Sequence, residues 1–301
     1  MSDEMRVAVT LAHALKWATD RLAEADVESP RWDAEQLAAH VLGVKKSELV
    51  GVSQLDPEQH SDFVDLVRRR AERVPLQHLT GVVGFRYLEL AVGPGVFIPR
   101  PETEVVAGYA IDHLRVNGPI DPVVVELCAG SAAIALSIAQ EVPAAVVHAV
   151  EVDGAALEWA RRNAEARLRV GDPPITLHCA DVSTPIPTLA GKVDCVIANP
   201  PYVAEHEMHE VAAEVRDHDP EQALVAGPDG LDVIRLVVEQ ARVLLRRGGL
   251  VVIEHSDRQG ESAPTVLRDA GGWADIEDHV DLTGRPRFVT ATWADAPWTE
   301  D

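Results

Sequence analysis

From residue 123 onward, short runs rich in Val, Ile and Leu alternate with longer Ala- and Leu-rich stretches. This alternation leaves the chain few architectures. Strand candidates fall at 123–127, 145–152, 175–181, 193–198 and 250–255, separated by helical stretches that include 131–140, 154–168 and 231–245. Strands alternating with helices build a parallel sheet covered on both faces. Two further candidates, near 274–282 and 287–293, are joined only through Gly284-Arg285-Pro286. A parallel crossover needs about a dozen residues, so that pair is expected to be antiparallel.

The chain before this region has a different texture. Residues 1–75 read as helices. The stretch 7–25 has no internal Gly or Pro; Ser29-Pro30 and Asp56-Pro57 are start signals, and Gly43 and Pro75 are stops. Phe63, Val67 and Val74 form one stripe, and Arg68-Arg69-Arg70 reads as a solvated face. Between 76 and 104, Gly81, Gly84, Gly93, Pro94 and Gly95 punctuate β-prone pieces, which suggests a hairpin linking two domains. The expected organisation is a helical domain at 1–75, a hairpin linker at 76–104, an α/β domain at 105–294 and a disordered tail at 295–301. A length of 301 residues suits two domains.

Charge narrows the partners. With 27 basic and 49 acidic residues, the net charge is −22. That opposes loose binding to a polyanion, which depends on neutralising phosphates. The cysteines, Cys128, Cys179 and Cys195, are too few for a disulfide framework and fit a reducing cytoplasm. No C-x-x-C pair offers a zinc site, no apolar run is long enough for a bilayer, and MSDEMRVAV lacks the features of a signal peptide. His206, His209 and His218 lie in an acidic insertion, 203–227, that reads as a loop over the active site rather than a metal centre.

In open α/β sheets, ligands bind beyond the carboxyl ends of the strands. The first strand ends in Glu126-Leu127-Cys128-Ala129-Gly130-Ser131-Ala132. This turn brings backbone N–H groups towards a ligand, or is a plain strand-to-helix turn with Ser131 as N-cap. The second strand ends at Glu151, whose two acceptor oxygens suit a ribose diol, although Glu151 or Asp153 equally serves as a helix cap. The third ends at Ala180-Asp181-Val182, where Asp181 can accept from an adenine amino group. Three acid-bearing turns describe a nucleoside pocket without a pyrophosphate, and a cationic sulfonium cofactor, S-adenosylmethionine, suits them. The fourth strand ends in Asn199-Pro200-Pro201-Tyr202. The prolines supply no N–H. The Asn199 side-chain oxygen and the Pro200 carbonyl can therefore accept both hydrogens of a planar –NH₂ group, on which Tyr202 can stack. Cys128 reads as packing, and Glu254-His255 as support at the end of the fifth strand.

This layout resembles the class I S-adenosylmethionine-dependent methyltransferases, among which an N-P-P-Y tetrapeptide goes with methylation of amino or amide nitrogens. With Phe97-Ile98-Pro99-Arg100-Pro101-Glu102-Thr103-Glu104, the chain resembles the HemK/PrmC family of release factor glutamine methyltransferases. Pro75-Leu76-Gln77-His78-Leu79-Thr80-Gly81, Ala160-Arg161-Arg162-Asn163-Ala164 and Asp229-Gly230-Leu231 agree. The resemblance implies an α/β fold: a seven-stranded Rossmann-like sheet with a small helical N-terminal domain joined by a β-hairpin linker. It implies methylation of the glutamine amide in the Gly-Gly-Gln motif of class 1 peptide chain release factors. It places Glu126, Cys128, Ala129, Gly130, Ser131, Ala132, Glu151, Asp181, Val182 and Asn199 at the cofactor. It places Asn199, Pro200, Pro201 and Tyr202 at the substrate, with Arg100 and Thr103 shaping its approach; Arg100 fits equally well as an ion pair with Glu102 or Glu104. The family turn reads Asp-Leu-Gly-x-Gly-x-Gly, whereas here Cys128 and Ala132 replace glycines. The turn is kept if neither position requires a positive φ. The expected protein is a cytoplasmic monomer that touches neither nucleic acid nor membrane. The competing readings are an adenine-N6 nucleic-acid methyltransferase and a non-catalytic homologue with a degenerate cofactor loop.

Overall fold

The computed structural model describes residues 8–295. The chain packs as two units, one built from residues up to Val82 plus Ala212–His218, the other from Val83–Val211 and from Asp219 onward. Of the expected tail 295–301, all but Asp295 lies outside the described residues.

The first unit contains β1 (Val9–Thr10), α1 (Leu11–Glu24), α2 (Pro30–Leu42), β2 (Gln54–Leu55), α3 (Pro57–Ala71), α4 (Leu76–Thr80) and, from far along the chain, α8 (Ala213–His218). Its helices begin and end where the local chemistry directs. Asp56 accepts from the amides of Glu58 and Gln59 at the start of α3, and Gly43 closes α2 with φ 64. Ser29 occupies the expected N-cap position of α2 but makes no capping bond through its side chain. Ala18, Leu22, Leu37, Phe63, Val67 and Leu79 form the core.

In the arginine run, Arg68 and Arg69 are exposed as expected, and only Arg70 departs from a solvated face. Arg70 is buried, and its guanidinium donates to Asp33 at 2.7 Å, to Glu214 at 3.1 Å and to the Val74 carbonyl at 3.2 Å. Arg73 donates to the other Glu214 oxygen at 2.6 Å. A cation this deep survives only with acceptors on several sides, which Asp33 on α2 and Glu214 on α8 supply.

From Val83 the second unit opens with a hairpin of β3 (Val82–Phe85, all but its first residue in this unit) and β4 (Leu88–Ala91), followed by α5 (Pro101–Asn117). Then come β5 (Val123–Leu127), α6 (Ala133–Glu141), β6 (Val146–Glu151), α7 (Gly154–Arg169), β7 (Thr176–Cys179) and β8 (Val193–Ala198). After the acidic insertion follow α9 (Asp232–Leu244), β9 (Leu245–Glu254), α10 (Ser262–Ala270), β10 (Trp273–Val280) and β11 (Pro286–Trp293). The strands form one seven-stranded sheet in the order β10-β11-β9-β8-β5-β6-β7. β5 to β9 are parallel, and β11 runs antiparallel to both β9 and β10, as the short Gly284 connection requires.

Strand periodicity splits the core in two. Val124, Cys195, Ile197 and Val252 pack with α5, α6 and α7 on one face. Val125, Val196, Ala198, Val251 and Ile253 pack with α9 and α10 on the other. Strands covered on both faces have no place for alternating polar residues, hence the near-continuous apolar runs. Strand order reverses between β5 and β8, which makes the crevice beyond their carboxyl ends the place for a ligand.

Removing one partner of a buried ion pair strands the other charge. Asp33→Ala is therefore expected to destabilise the helical unit by about 3 kcal/mol, read as a lower urea midpoint. Unchanged stability would mean that Glu214 alone satisfies Arg70.

Candidate active site

Strand register brings the sequence-derived positions together. Leu127 on β5 pairs with Ala198 on β8 and Val150 on β6, and Ala198 pairs in turn with Ile253 on β9. The next residues out, Glu254, Asn199, Cys128 and Glu151, therefore stand in a row across the carboxyl edge of the sheet. Asp181 follows β7 one strand further along.

The turn after β5 is left-handed at three positions: Cys128 has φ 59, Gly130 φ 54 and Ala132 φ 61. The condition that neither Cys128 nor Ala132 requires a positive φ is thus not met, yet the turn forms. Both adopt the glycine-like conformation, at a cost of roughly 1–2 kcal/mol per residue. Hydrogen bonds hold the turn in place. Ala129 N–H donates to the Val150 carbonyl at 3.0 Å, and Gly130 N–H donates to Glu151 Oε2 at 2.7 Å. The Ser131 carbonyl accepts from Asn163 Nδ2 at 3.2 Å, and the same amide brackets the Ala91 backbone at the end of the hairpin.

Ser131 is not the N-cap of α6. That position belongs to Ala132, which has no side-chain oxygen. The acceptor comes instead from Glu126 on β5, whose Oε2 takes the Ala135 amide at 2.9 Å. Glu126 is buried and pushed up to about 8, by burial first, with the Ala135 amide opposing and Glu151 adding to the rise. It acts on the turn through the first amides of α6. Burial, and then the nearby Glu151, Glu126 and Asp181, hold the Cys128 thiol above its ordinary range, so it stays protonated.

Glu151 uses both oxygens locally, Oε2 on Gly130 and Oε1 on the Asp153 amide at 2.8 Å. Each carboxylate oxygen retains a second lone pair for a ligand hydroxyl. The alternative role, capping α7, falls to Asp153, which accepts from the Ala155 and Ala156 amides. Asp181 is exposed; its Oδ1 accepts from the amide and hydroxyl of Ser183, which holds the carboxyl below its usual range. Val182 and Ala129 are buried beside these acids. A Cβ on Gly130 would meet no atom within 4 Å, so the turn faces open space. These residues offer acceptors and a close backbone approach. This lining of acids fits a nucleoside carrying a positive charge.

At Asn199, Nδ2 donates to Thr103 Oγ1 at 3.1 Å. Thr103 is buried in the first turn of α5. Arg100 pairs with neither Glu102 nor Glu104; its Nη2 reaches Asp219 Oδ2 at 2.6 Å, and its guanidinium lies over the Phe97 ring. Two positions carry the segment after Asn199: Gln259, which no motif marked, and Gly230, which showed only as part of the string Asp229-Gly230-Leu231. Gln259 Nε2 donates to the Tyr202 carbonyl at 3.2 Å and to the Gly230 carbonyl at 3.1 Å. Gly230 has φ 71, and a Cβ there would sit 2.4 Å from the Tyr202 carbonyl oxygen. Within Asp229-Gly230-Leu231, that glycine is required by close approach.

A β-branched residue tolerates the left-handed region worse than Ala. Ala132→Val is expected to destabilise the chain by about 1–3 kcal/mol, while Ala132→Gly leaves unfolding midpoints at or above wild type. Equal denaturant stability of the two variants would refute a requirement for the left-handed turn.

Known proteins resemble this chain along most of its length. Residues 13–81 match the PrmC N-terminal domain, and residues 94–227 match the methyltransferase small domain. The release factor glutamine methyltransferase of Streptomyces coelicolor is 53% identical over 274 residues, covering 91% of this chain and 95% of that protein. The protein of the same name from Mycolicibacterium smegmatis is 47% identical over 284 residues, covering 94% and 97%. That from Deinococcus radiodurans is 37% identical over 287 residues, covering 93% and 98%. Among solved structures, the T. thermophilus 16S rRNA N2 G1207 methyltransferase shares the fold with a TM-score of 0.50 at 19% identity, over 70% of this chain and 49% of that one. By sequence along nearly its whole length, the chain belongs to the release factor glutamine methyltransferase family.

Proposed function

We infer that this chain is an enzyme that transfers a methyl group from S-adenosylmethionine to the side-chain amide nitrogen of glutamine in the Gly-Gly-Gln motif of class 1 peptide chain release factors. The observation that carries the reading is the sheet register that sets Asn199 beside the Cys128–Ala132 turn. Relatives that carry this activity in their name, matched over more than nine-tenths of the chain, support it.

S-adenosylmethionine supplies a methyl group made electrophilic by its sulfonium. The chain's own residues bind and orient. Glu151 offers acceptors to ribose hydroxyls, and Asp181 to the adenine amino group. The left-handed turn lets backbone come close, and the acids of the cleft favour a cation. An amide nitrogen is a poor nucleophile, because its lone pair is delocalised into the carbonyl. Asn199 Oδ1 and the Pro200 carbonyl compensate by accepting its two hydrogens, which orients the nitrogen and favours its pyramidal form. The nitrogen loses its proton to water after transfer, so no general base is needed. Pro201 fixes the turn, and the Tyr202 ring closes one side of it.

The same tetrapeptide can serve adenine, but a net charge of −22 leaves few cations for a phosphate footprint. The left-handed turn with its hydrogen bonds disfavours a degenerate, non-catalytic homologue. We also read the protein as a cytoplasmic monomer without direct nucleic-acid contacts. All three cysteines are free, and one chain carries both turns. Among the described residues, no helix is long and apolar enough to cross a membrane.

Mass spectrometry of a folded release factor after incubation with enzyme and cofactor tests the reading. One methyl group on the Gly-Gly-Gln glutamine is expected, with Asn199→Ala lowering turnover roughly 100-fold at saturating cofactor. Methylation of duplex DNA with none on the release factor would overturn the substrate, and full activity of Asn199→Ala would overturn the mechanism.

A further inference from the structure

The segment Asn199-Pro200-Pro201-Tyr202 is tethered at both ends. At its start, Asn199 Nδ2 donates to Thr103 Oγ1 in the first turn of α5 at 3.1 Å. At its end, Val203, the next residue, pairs with the returning leg of the acidic insertion. The Val203 amide donates to the Leu224 carbonyl at 2.8 Å, and its carbonyl accepts from the Ala226 amide at 2.9 Å.

One ion pair joins the two tethers. Arg100 is the N-cap residue of α5, and Asp219 is where the chain re-enters the second unit after the insertion. Arg100 Nη2 donates to Asp219 Oδ2 at 2.6 Å. The Asp219 side chain is 0% exposed and that of Arg100 30%. Opening the pair would strand a buried charge, so it stays closed. The backbone on either side is stiff. Pro99 and Pro101 flank Arg100, Pro220 follows Asp219, and each fixes its own φ. From Arg100 the path to Asn199 is short: the Thr103 amide donates to the Arg100 carbonyl at 3.1 Å. From Asp219 a single 3₁₀ turn, Glu221–Ala223, leads to Leu224 and its bond with Val203.

We propose that the Arg100–Asp219 ion pair is a clasp that holds this segment at both ends, with Asp219 as a positioning residue for Asn199. Arg100 then acts through Asp219 and α5 rather than by touching the substrate. The proposal rests on the substrate reading above only for its kinetic consequence, since the position of Asn199 is a property of the free enzyme. The cofactor turn is held by other groups, Glu126 and Glu151. Loss of the clasp therefore lowers turnover and leaves cofactor affinity in place.

The chain has only three asparagines, Asn117, Asn163 and Asn199. Selective ¹⁵N-asparagine labelling gives three side-chain amide pairs, and the Asn199 pair is identified by its absence in Asn199→Ala. Asn163, bonded to the Ala91 backbone and the Ser131 carbonyl, reports on the fold around the cofactor turn. Two variants open the clasp from opposite sides. In Asp219→Ala the partly exposed Arg100 turns to water. In Arg100→Met the carboxyl, which burial already raises to about 6 against the pull of Arg100, neutralises by taking up a proton. In both, the Asn199 pair should move while the Asn163 pair stays, with S-adenosylmethionine affinity by calorimetry within about 2-fold of wild type. With release factor as substrate, kcat should fall roughly 10-fold or more, the double variant should be no worse than either single one, and Arg100→Lys should keep most of the activity. An Asn199 pair that does not move in either variant overturns the clasp, whatever the activity. Loss of the Asn163 pair in both variants would make the ion pair a general support of the fold and overturn it as well. The expected spectra without release-factor methylation by the wild type would leave the clasp standing and overturn the substrate reading.

Discussion

The carboxylate of Glu151 is the contact on which the cofactor end of this protein depends. It ends β6, is nearly closed off from solvent, and spends Oε2 on the Gly130 amide and Oε1 on the Asp153 amide. One side chain thus joins the turn after the first parallel strand to the loop after the second. A turn left-handed at a cysteine and an alanine works against its own backbone preference. Hydrogen bonds to a charged acceptor contribute about 1.5–3 kcal/mol each, enough to offset that preference. Glu126 works in the same direction from beneath, giving α6 the cap that Ala132 cannot.

The neighbouring turn is organised by different means. Asn199-Pro200-Pro201-Tyr202 has little backbone donor capacity, so side chains from elsewhere hold it. Gln259 reaches the Tyr202 carbonyl, Gly230 leaves room for it, and Thr103 takes the Asn199 amide. The parallel register of β5, β8 and β9 turns these separate local solutions into one row of functional groups. The sheet provides alignment, and the loops provide chemistry.

Much of this was legible in the sequence, for identifiable reasons. Parallel strands buried on both faces must be apolar throughout, so β5, β8 and the outer part of β9 stood out. A short connection forced β10 and β11 to be antiparallel. Helix starts at Asp56-Pro57 and Asp153 are local chemistry written in adjacent residues. What stayed hidden was long-range or conformational. Arg70 looked like one of three surface arginines, because its partners Asp33 and Glu214 lie 37 and 144 residues away. Arg100 has acids two and four residues along, yet pairs with Asp219, 119 residues distant. The left-handed φ of Cys128 and Ala132 was invisible because neither residue type announces it. Asn163 showed itself only as part of a familiar string, although it ties the hairpin to the cofactor turn.

The most direct measurement of this dependence is calorimetric titration of S-adenosylmethionine into wild type and Glu151→Ala, with folding checked by unfolding midpoints. Loss of the carboxylate removes both the ribose acceptor and the anchor of the Gly130 amide. The expected result is an affinity weakened roughly 10- to 150-fold or more in a folded protein. Unchanged affinity in the folded variant would contradict the central role given to Glu151.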